Sequence, residues 1–419
     1  MKKCILTSLL ILQASPVIFT LIMFGVYSLP TDGMLANAAE SVDIYQENRI
    51  NYWTGFANSY FSNMEPYTDY LMINTATFPT TKETIVHDAM NNPQKYSADL
   101  EWDEPFFLHL SGDDSRLEDT IYPRFWHGYL LWLKPLLMIF NLNEIRIFNL
   151  YLTVVLCGIS FILLHKEFSW LMTIAFSLLL FVMNPLLAVL TLQGDALIIS
   201  LLAVIILLWK KDWISKNHHF IYFFLSLGIL TSFFMFLTYP LVTFGIPITV
   251  YILLNKKKSL KDLLLIGLSC GLAWSIGFSF NWAAKWVMSY LLTGYNAIAD
   301  ATARAARPYT EGGTYNTAFY WVFMNNLYVI NVQPFRFIYR LTAVLLAAVT
   351  GWKWHKKRNF RFSFGAAVCL LIIASLPLAW YYVMRSHSTV HLWWAHKELA
   401  ITLFALFCLP QVFVDTEEK

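Results

Sequence analysis

The gathering of apolar residues into long blocks constrains this chain more than any other feature. Runs at 5–29, 145–164, 169–186, 189–208 and 362–383 are almost free of charge. Each is close to the roughly 20 residues that a helix needs to cross a bilayer. Hydrophobic residues make up 57% of the 419-residue chain and charged residues 14%, against about 25% charged in a soluble domain. The fold class that follows is an all-α polytopic membrane protein.

Charge sets the expected topology. Lys2 and Lys3 precede the first apolar run, which holds its start in the cytoplasm. Ala36-Asn37-Ala38 has the small-residue pattern of a signal-peptidase site. The preceding apolar run is longer than the 7–15 residues of a signal h-region, so residues 1–29 read as an uncleaved first transmembrane helix. The connections Lys210–His219, Asn255–Lys261 and Trp352–Arg361 are strongly basic and belong on the cytoplasmic side. Counting back from Lys210 puts His165-Lys166-Glu167 inside, and Asn184-Pro185 and Asn143 outside. Further spans are expected at 220–238, 241–254, 262–280, 335–351 and 398–414. The sum is about ten spans, a multi-pass plasma-membrane protein with both termini cytoplasmic.

Residues 30–143 then form one large extracytoplasmic loop. It holds sixteen Asp and Glu against six Lys and Arg, with many aromatics. A disordered linker is poor in aromatics, so the loop should fold. Within it, 125–140 is apolar but starts and ends outside, which predicts an interfacial or re-entrant helix broken near Pro135. The helical membrane domain, 144–419, carries two more outer loops, near 281–334 and 384–397.

The outer segments hold most of the reactive side chains. Asp69 lies in an apolar, aromatic setting, Tyr67-Thr68-Asp69-Tyr70-Leu71-Met72. Apolar surroundings raise a carboxyl pKa and suit a general base; a helix N-cap or a structural acid fits as well. Arg124 and His127, in Tyr122-Pro123-Arg124-Phe125-Trp126-His127, are three apart and would share a helix face. They read as a phosphate clamp, or as interfacial anchors beside Trp126 and Tyr129. Lys134 sits in an apolar stretch, from which it would reach headgroups or a phosphate. Arg304 and Arg307 read as a second phosphate contact or a solvated turn. His387, His391, His396 and Lys397 give the last loop a basic rim. His391 and His396 lack helical metal-pair spacing, and the five cysteines show no metal or disulfide pattern. A divalent metal is therefore not indicated, and the cofactor stays open. Asp195 is the one acid deep in an apolar block, where ionisable groups are costly; Lys285 or an outer-loop arginine is a candidate partner. There is no P-loop, GxSxG elbow, HExxH or arginine series. A nucleic-acid partner is not expected.

With these residues laid out, the chain resembles the GT-C class of membrane glycosyltransferases, which use polyprenyl-phosphate-linked sugars. The likeness lies in the first span, the large acidic outer loop and the helices that follow. The stretches YPRFWHGY, PLLMIFNLNEIRIFN and HSTVHLWWAHKELA are similar to those of a Gram-positive bacterial branch of multi-span proteins, placed near cell-wall or surface-polysaccharide functions. The resemblance implies sugar transfer from a polyprenyl-(pyro)phosphate donor to an envelope glycan or lipid acceptor on the outer face, among membrane lipids. It places the catalytic acid soon after the first span. Asp32 is nearest, Asp43 follows, and Asp69 lies further on; no paired acidic motif directly follows Leu29. The expected roles are Asp69 or Asp43 as catalytic acid, and Tyr122, Arg124, His127, Lys134, Arg304, His391, His396 and Lys397 as substrate or phosphate ligands. A transporter or flippase, or a non-catalytic envelope-assembly protein, is the alternative.

Overall fold

The computed structural model describes residues 2–43, 45, 59–62, 66–306, 316–331, 335–355 and 360–415. Four of the described helices are long and apolar enough to cross a membrane: Cys4–Tyr27, Leu142–Glu167, Leu260–Thr293 and Phe364–Val383. Four shorter apolar helices, Trp170–Met183, Asp195–Trp209, His219–Phe234 and Val242–Leu254, pack among them. Leu142–Glu167 turns Ile147, Phe148, Tyr151, Val154 and Val155 outward. A continuous apolar face of this size suits lipid contact rather than water.

Local chemistry sets the helix limits. Asn141 and Glu144 form a capping box at the start of Leu142–Glu167, which satisfies two orphan backbone donors. Ser259 caps Leu260–Thr293, and Gly294, at φ +73°, ends it in the left-handed region. The expected span 189–208 is interrupted: Pro185–Leu190 and Asp195–Trp209 are helical, and Thr191–Gly194 is not. Unwound backbone at this depth is tolerated where its polar groups find protein partners. Here Leu192 N donates to Asp69 and the Gln193 carbonyl accepts from Tyr239. The expected span 398–414 is also divided, into helix Leu399–Phe407 flanked by 3₁₀ turns.

His219–Phe234 and Leu260–Thr293 make the closest helix pair. A Cβ on Gly228 would strike the Trp274 carbonyl, and one on Gly277 the Leu225 carbonyl. Small residues let membrane helices approach to backbone contact in this way.

Leu260–Thr293 differs from expectation at its far end. Residues 281–293 were assigned to a loop, but the helix continues through them for 34 residues in all. At 1.5 Å per residue that is about 51 Å, well beyond a hydrocarbon core of roughly 30 Å. Its C-terminal part is a post onto which the described residues 85–91 dock. Lys285 donates to the carbonyls of Ala89 and Met90, the C-terminal turn of helix Ile85–Asn91, where a cation is favoured. Ser289 donates to Asn91, and Trp126 Nε1 to the Asn281 carbonyl.

The described residues of the stretch expected as the first outer loop form regular elements, and not only helices. Asp32–Glu40, Tyr67–Thr77, Ile85–Asn91 and Glu104–Ser111 are helices. Pro93–Tyr96 pairs antiparallel with Glu118–Ile121, Gln94 facing Thr120. A second ribbon pairs Phe360–Phe362 with Phe413–Asp415. Within 125–140 only Leu130–Leu137 is helical, with Pro135 inside it. Eight residues rise about 12 Å, too short to cross. Leu130, Leu133, Lys134 and Leu137 are buried, one face at i, i+3, i+4 and i+7 spacing.

The segments assigned to one side of the membrane meet one another. On the side of the first loop, Asn184 donates to the Phe61 carbonyl and Asn37 to that of Leu137. At the basic connections, Lys211 pairs with Glu167 at 2.6 Å, and Lys256 donates to the carbonyls of Gln411 and Phe413.

Candidate functional site

Three segments, far apart in sequence and each expected outside the membrane, close around one cavity of about 640 Å³. The first loop contributes Tyr122 and Arg124, the helix Ala297–Ala306 contributes Asp300 and Arg304, and the last loop contributes His391 and Trp393. Its walls are polar and apolar in similar measure. That mixture suits a ligand with a charged head and a carbon body.

Arg124 is the best-held residue of the site. Its guanidinium pairs with Asp300 Oδ2 at 2.9 Å and lies 4.5 Å from the centre of the Tyr122 ring. Its carbonyl accepts from Trp282 Nε1 at 2.7 Å and Trp286 Nε1 at 3.0 Å, both on the helical post. The ion pair keeps about a quarter of its surface exposed, 24% for Arg124 and 28% for Asp300. A pair in that position is open to a ligand from the cavity. Asp300 and Arg304 are four apart on one helix, so both face the same way. Asp300 Oδ1 carries no hydrogen bond from a described residue.

Arg124 and His127 do not share a helix face, because residues 122–129 are not helical. His127 has a positive φ of 55° and turns inward. Its ring nitrogens meet Tyr129 Oη at 2.9 Å and the Tyr122 carbonyl at 3.0 Å. Burial, assisted by the nearby Lys285 charge, pushes its pKa down to about 3. His127 is a neutral brace behind Tyr122, not a cationic phosphate ligand.

Asp69 is fully buried and does not line the cavity, although Tyr67 and Leu71 of its helix do. Oδ1 accepts from Leu192 N at 3.0 Å and Oδ2 from Tyr45 Oη at 3.2 Å. That is the structural-acid alternative: the carboxylate ties the first loop to the break at Thr191–Gly194. Replacing Asp69 by alanine leaves the Leu192 N–H without an acceptor, which costs about 1–3 kcal/mol. Thermal unfolding in detergent should show that loss, with activity per folded molecule retained. Asp43 is exposed, three residues beyond the helix Asp32–Glu40, and has no place in the cavity wall.

The remaining expected ligands divide. Arg304 and His391 line the cavity. His391 packs on His387 with ring centres 4.4 Å apart, and burial with the Arg304 charge lowers its pKa to about 4. Lys134 does not reach headgroups. Its ammonium is buried, 4.8 Å from the Tyr27 ring centre, and has no hydrogen-bond partner among the described residues. His396 and Lys397 form no rim, since both are buried. Lys397 donates to the Met183 carbonyl at the end of Trp170–Met183, and Glu398 accepts from Leu241 N ahead of Val242–Leu254. Those two side chains staple helix ends. Arg307 lies outside the described residues. Asp195 does not pair with Lys285; it accepts from Trp132 Nε1 at 3.1 Å.

Burial also sets an acid response. His127, His391 and His396 are neutral in the fold down to about 3, 4 and 3 respectively. In the unfolded chain they take up protons near pH 6.5. Stability is therefore full above pH 6.5 and declines as the pH falls toward 4. Thermal unfolding at pH 7 and pH 5 should show the decline, and His127→Gln should reduce it.

Sequence reasoning did not select Asp300, Tyr67, Tyr96 or Trp393. The one signal was the i, i+4 spacing of Asp300 and Arg304. Among the described residues, no group of three or more His, Cys, Asp or Glu is placed to hold a metal ion. Comparison with protein-family models, curated proteins and solved structures finds no match.

Proposed function

We propose that the cavity binds a phosphorylated, sugar-bearing lipid and transfers its sugar to an acceptor on the outer face, in a GT-C-like manner. The observation that carries this reading is the meeting of Arg124, Arg304 and Asp300 on one cavity wall built from three separate outer segments. Two guanidiniums suit a phosphate or pyrophosphate, which they engage through paired N–H donors. The partly exposed Asp300 supplies the carboxylate that the resemblance sought nearer the first span.

The reaction follows from that placement. Asp300 takes the proton of the acceptor hydroxyl. The acceptor oxygen bonds to the anomeric carbon as the bond from that carbon to the phosphate oxygen breaks. Arg124 and Arg304 neutralise the charge that grows on the departing phosphate. Tyr67, Tyr122 and Trp393 offer aromatic faces to the sugar. The reading carries with it about ten spans, cytoplasmic termini and a polyprenyl-linked donor.

A transporter would need polar groups along a path between helices. Lys285 and Lys397 are engaged with backbone carbonyls and Asp195 accepts from Trp132 among apolar helices, whereas Arg124, Asp300 and Arg304 gather at the cavity; that contrast favours chemistry there over passage. The test uses membranes holding the full chain, a polyprenyl-phosphate-linked sugar labelled in the sugar, and a glycan or lipid acceptor. Asp300→Asn should abolish labelled product while donor binding persists. Product formation at the unaltered rate would end the assignment of Asp300.

A further inference from the structure

A second polar spot lies among apolar helices, apart from the cavity. Asp195 opens the helix Asp195–Trp209, and Trp132 Nε1 donates to its Oδ1. Among the described residues Asp195 has no basic partner, and Oδ2 has no hydrogen bond. Lys285 is held by the carbonyls of Ala89 and Met90, Lys397 by that of Met183, and Lys134 lies against Tyr27. The described chain therefore supplies no cation to a carboxylate at a depth where charges are paired.

Gln193 stands beside it, 7% exposed, and among the described residues neither its amide nitrogen nor its amide oxygen has a hydrogen-bond partner. Gln193 and Asp195 share a small pocket of about 20 Å³ with Tyr129, Thr238 and Tyr239. That is room for one small polar group. On its other side Asp195 borders an apolar crevice of about 270 Å³, lined by Trp132, Phe148, Leu152, Ile199 and Phe234. A further apolar cavity of about 400 Å³ shares Ile199, Leu202 and Phe234 with the crevice and reaches Ile206, Lys210 and Trp213. The groove thus follows Asp195–Trp209 for about 22 Å at 1.5 Å per residue.

We propose that Asp195 and Gln193 bind the ammonium group of an amine-bearing membrane amphiphile whose hydrocarbon chain lies in this groove. The ammonium donates to Asp195 Oδ2 and to the Gln193 amide oxygen, the two acceptors left vacant. The absence of a cation from the described chain selects this occupant over an anionic lipid, which Asp195 repels, and over a neutral alcohol, which leaves the charge unpaired. The site shares no residue with the arginine-lined cavity and stands whether or not the cavity transfers sugar.

Photolabelling of the full chain in detergent tests this. The probes are dodecylamine and dodecanol, each carrying a diazirine in the chain. The amine should label peptides from 195–209 and 219–234, and unlabelled dodecylamine should compete. Labelling by the alcohol should be at least tenfold weaker. Asp195→Asn should lower amine labelling at least tenfold, and Asp195→Glu, which keeps the charge, should restore most of it. Size-exclusion profiles establish that each variant is folded; where Asp195→Asn is not, Gln193→Leu replaces it and should weaken amine labelling. Equal labelling by amine and alcohol, or unchanged labelling in a folded variant that lacks the acceptor, overturns the proposal.

Discussion

Arg124→Ala should lower sugar transfer by at least about a hundredfold, the scale seen when one preorganised donor to a developing oxyanion is removed. The side chain is prepared for such a role on both sides. Trp282 and Trp286 fix its backbone, Tyr122 stacks on its guanidinium, and Asp300 orients it. Its removal also frees Asp300 from its ion pair. Arg124→Lys should recover only a small part, because an ammonium cannot reproduce the paired N–H geometry. Single-turnover and steady-state rates with labelled donor measure the loss. A variant expressed at the normal level that transfers at the normal rate would show that Arg124 binds no departing phosphate.

The largest stability effect is expected from Gly277→Val. A side chain there meets the Leu225 carbonyl and the Ile229 nitrogen, both backbone atoms. No rotamer change relieves that contact, so the two helices must move apart. A cost of about 3 kcal/mol, the upper end for overpacking, follows. Gly267 is the control, since a Cβ there meets nothing within 4 Å. Gly267→Ala should hold or raise stability, because it reduces the freedom of the unfolded chain. Denaturant titration in detergent compares the two. The separation also pulls on Trp282, so loss of transfer should accompany Gly277→Val at temperatures below unfolding.

The long apolar helices were legible because composition alone decides whether a segment of about 20 residues prefers lipid to water. The order of the described part of the first loop has the same kind of reason, since aromatics such as Tyr45, Tyr70 and Phe106 have to be covered; here Tyr70 and Phe106 stack and Tyr45 meets both edge-on. The helical post was less visible. Asn281, Lys285 and Ser289 recur every four residues and are all buried, yet a polar stripe of that spacing reads as easily as a loop beside a membrane. Asp69 shows the limit of reading one residue in its local setting. An acid among aromatics read equally as a general base and as a structural acid, and whether it accepts from a substrate or from the Leu192 N–H depends on a segment 123 residues away. Lys397 and Glu398 make the same point, because their partners at Met183 and Leu241 lie 214 and 157 residues away.

By itself, then, the sequence determined the solvent for most of this protein's surface and the kind of element that fills it, because hydropathy and helix length are local quantities. The tertiary structure alone decided which charged groups gather at a cavity and which are taken up by the backbone. Availability depends on what else is nearby, and a backbone carbonyl brought across the fold silences a lysine as fully as a carboxylate would. Lys285 and Lys397 were silenced in that way, while Arg124, Asp300 and Arg304 were drawn from positions up to 180 residues apart onto the wall of one cavity.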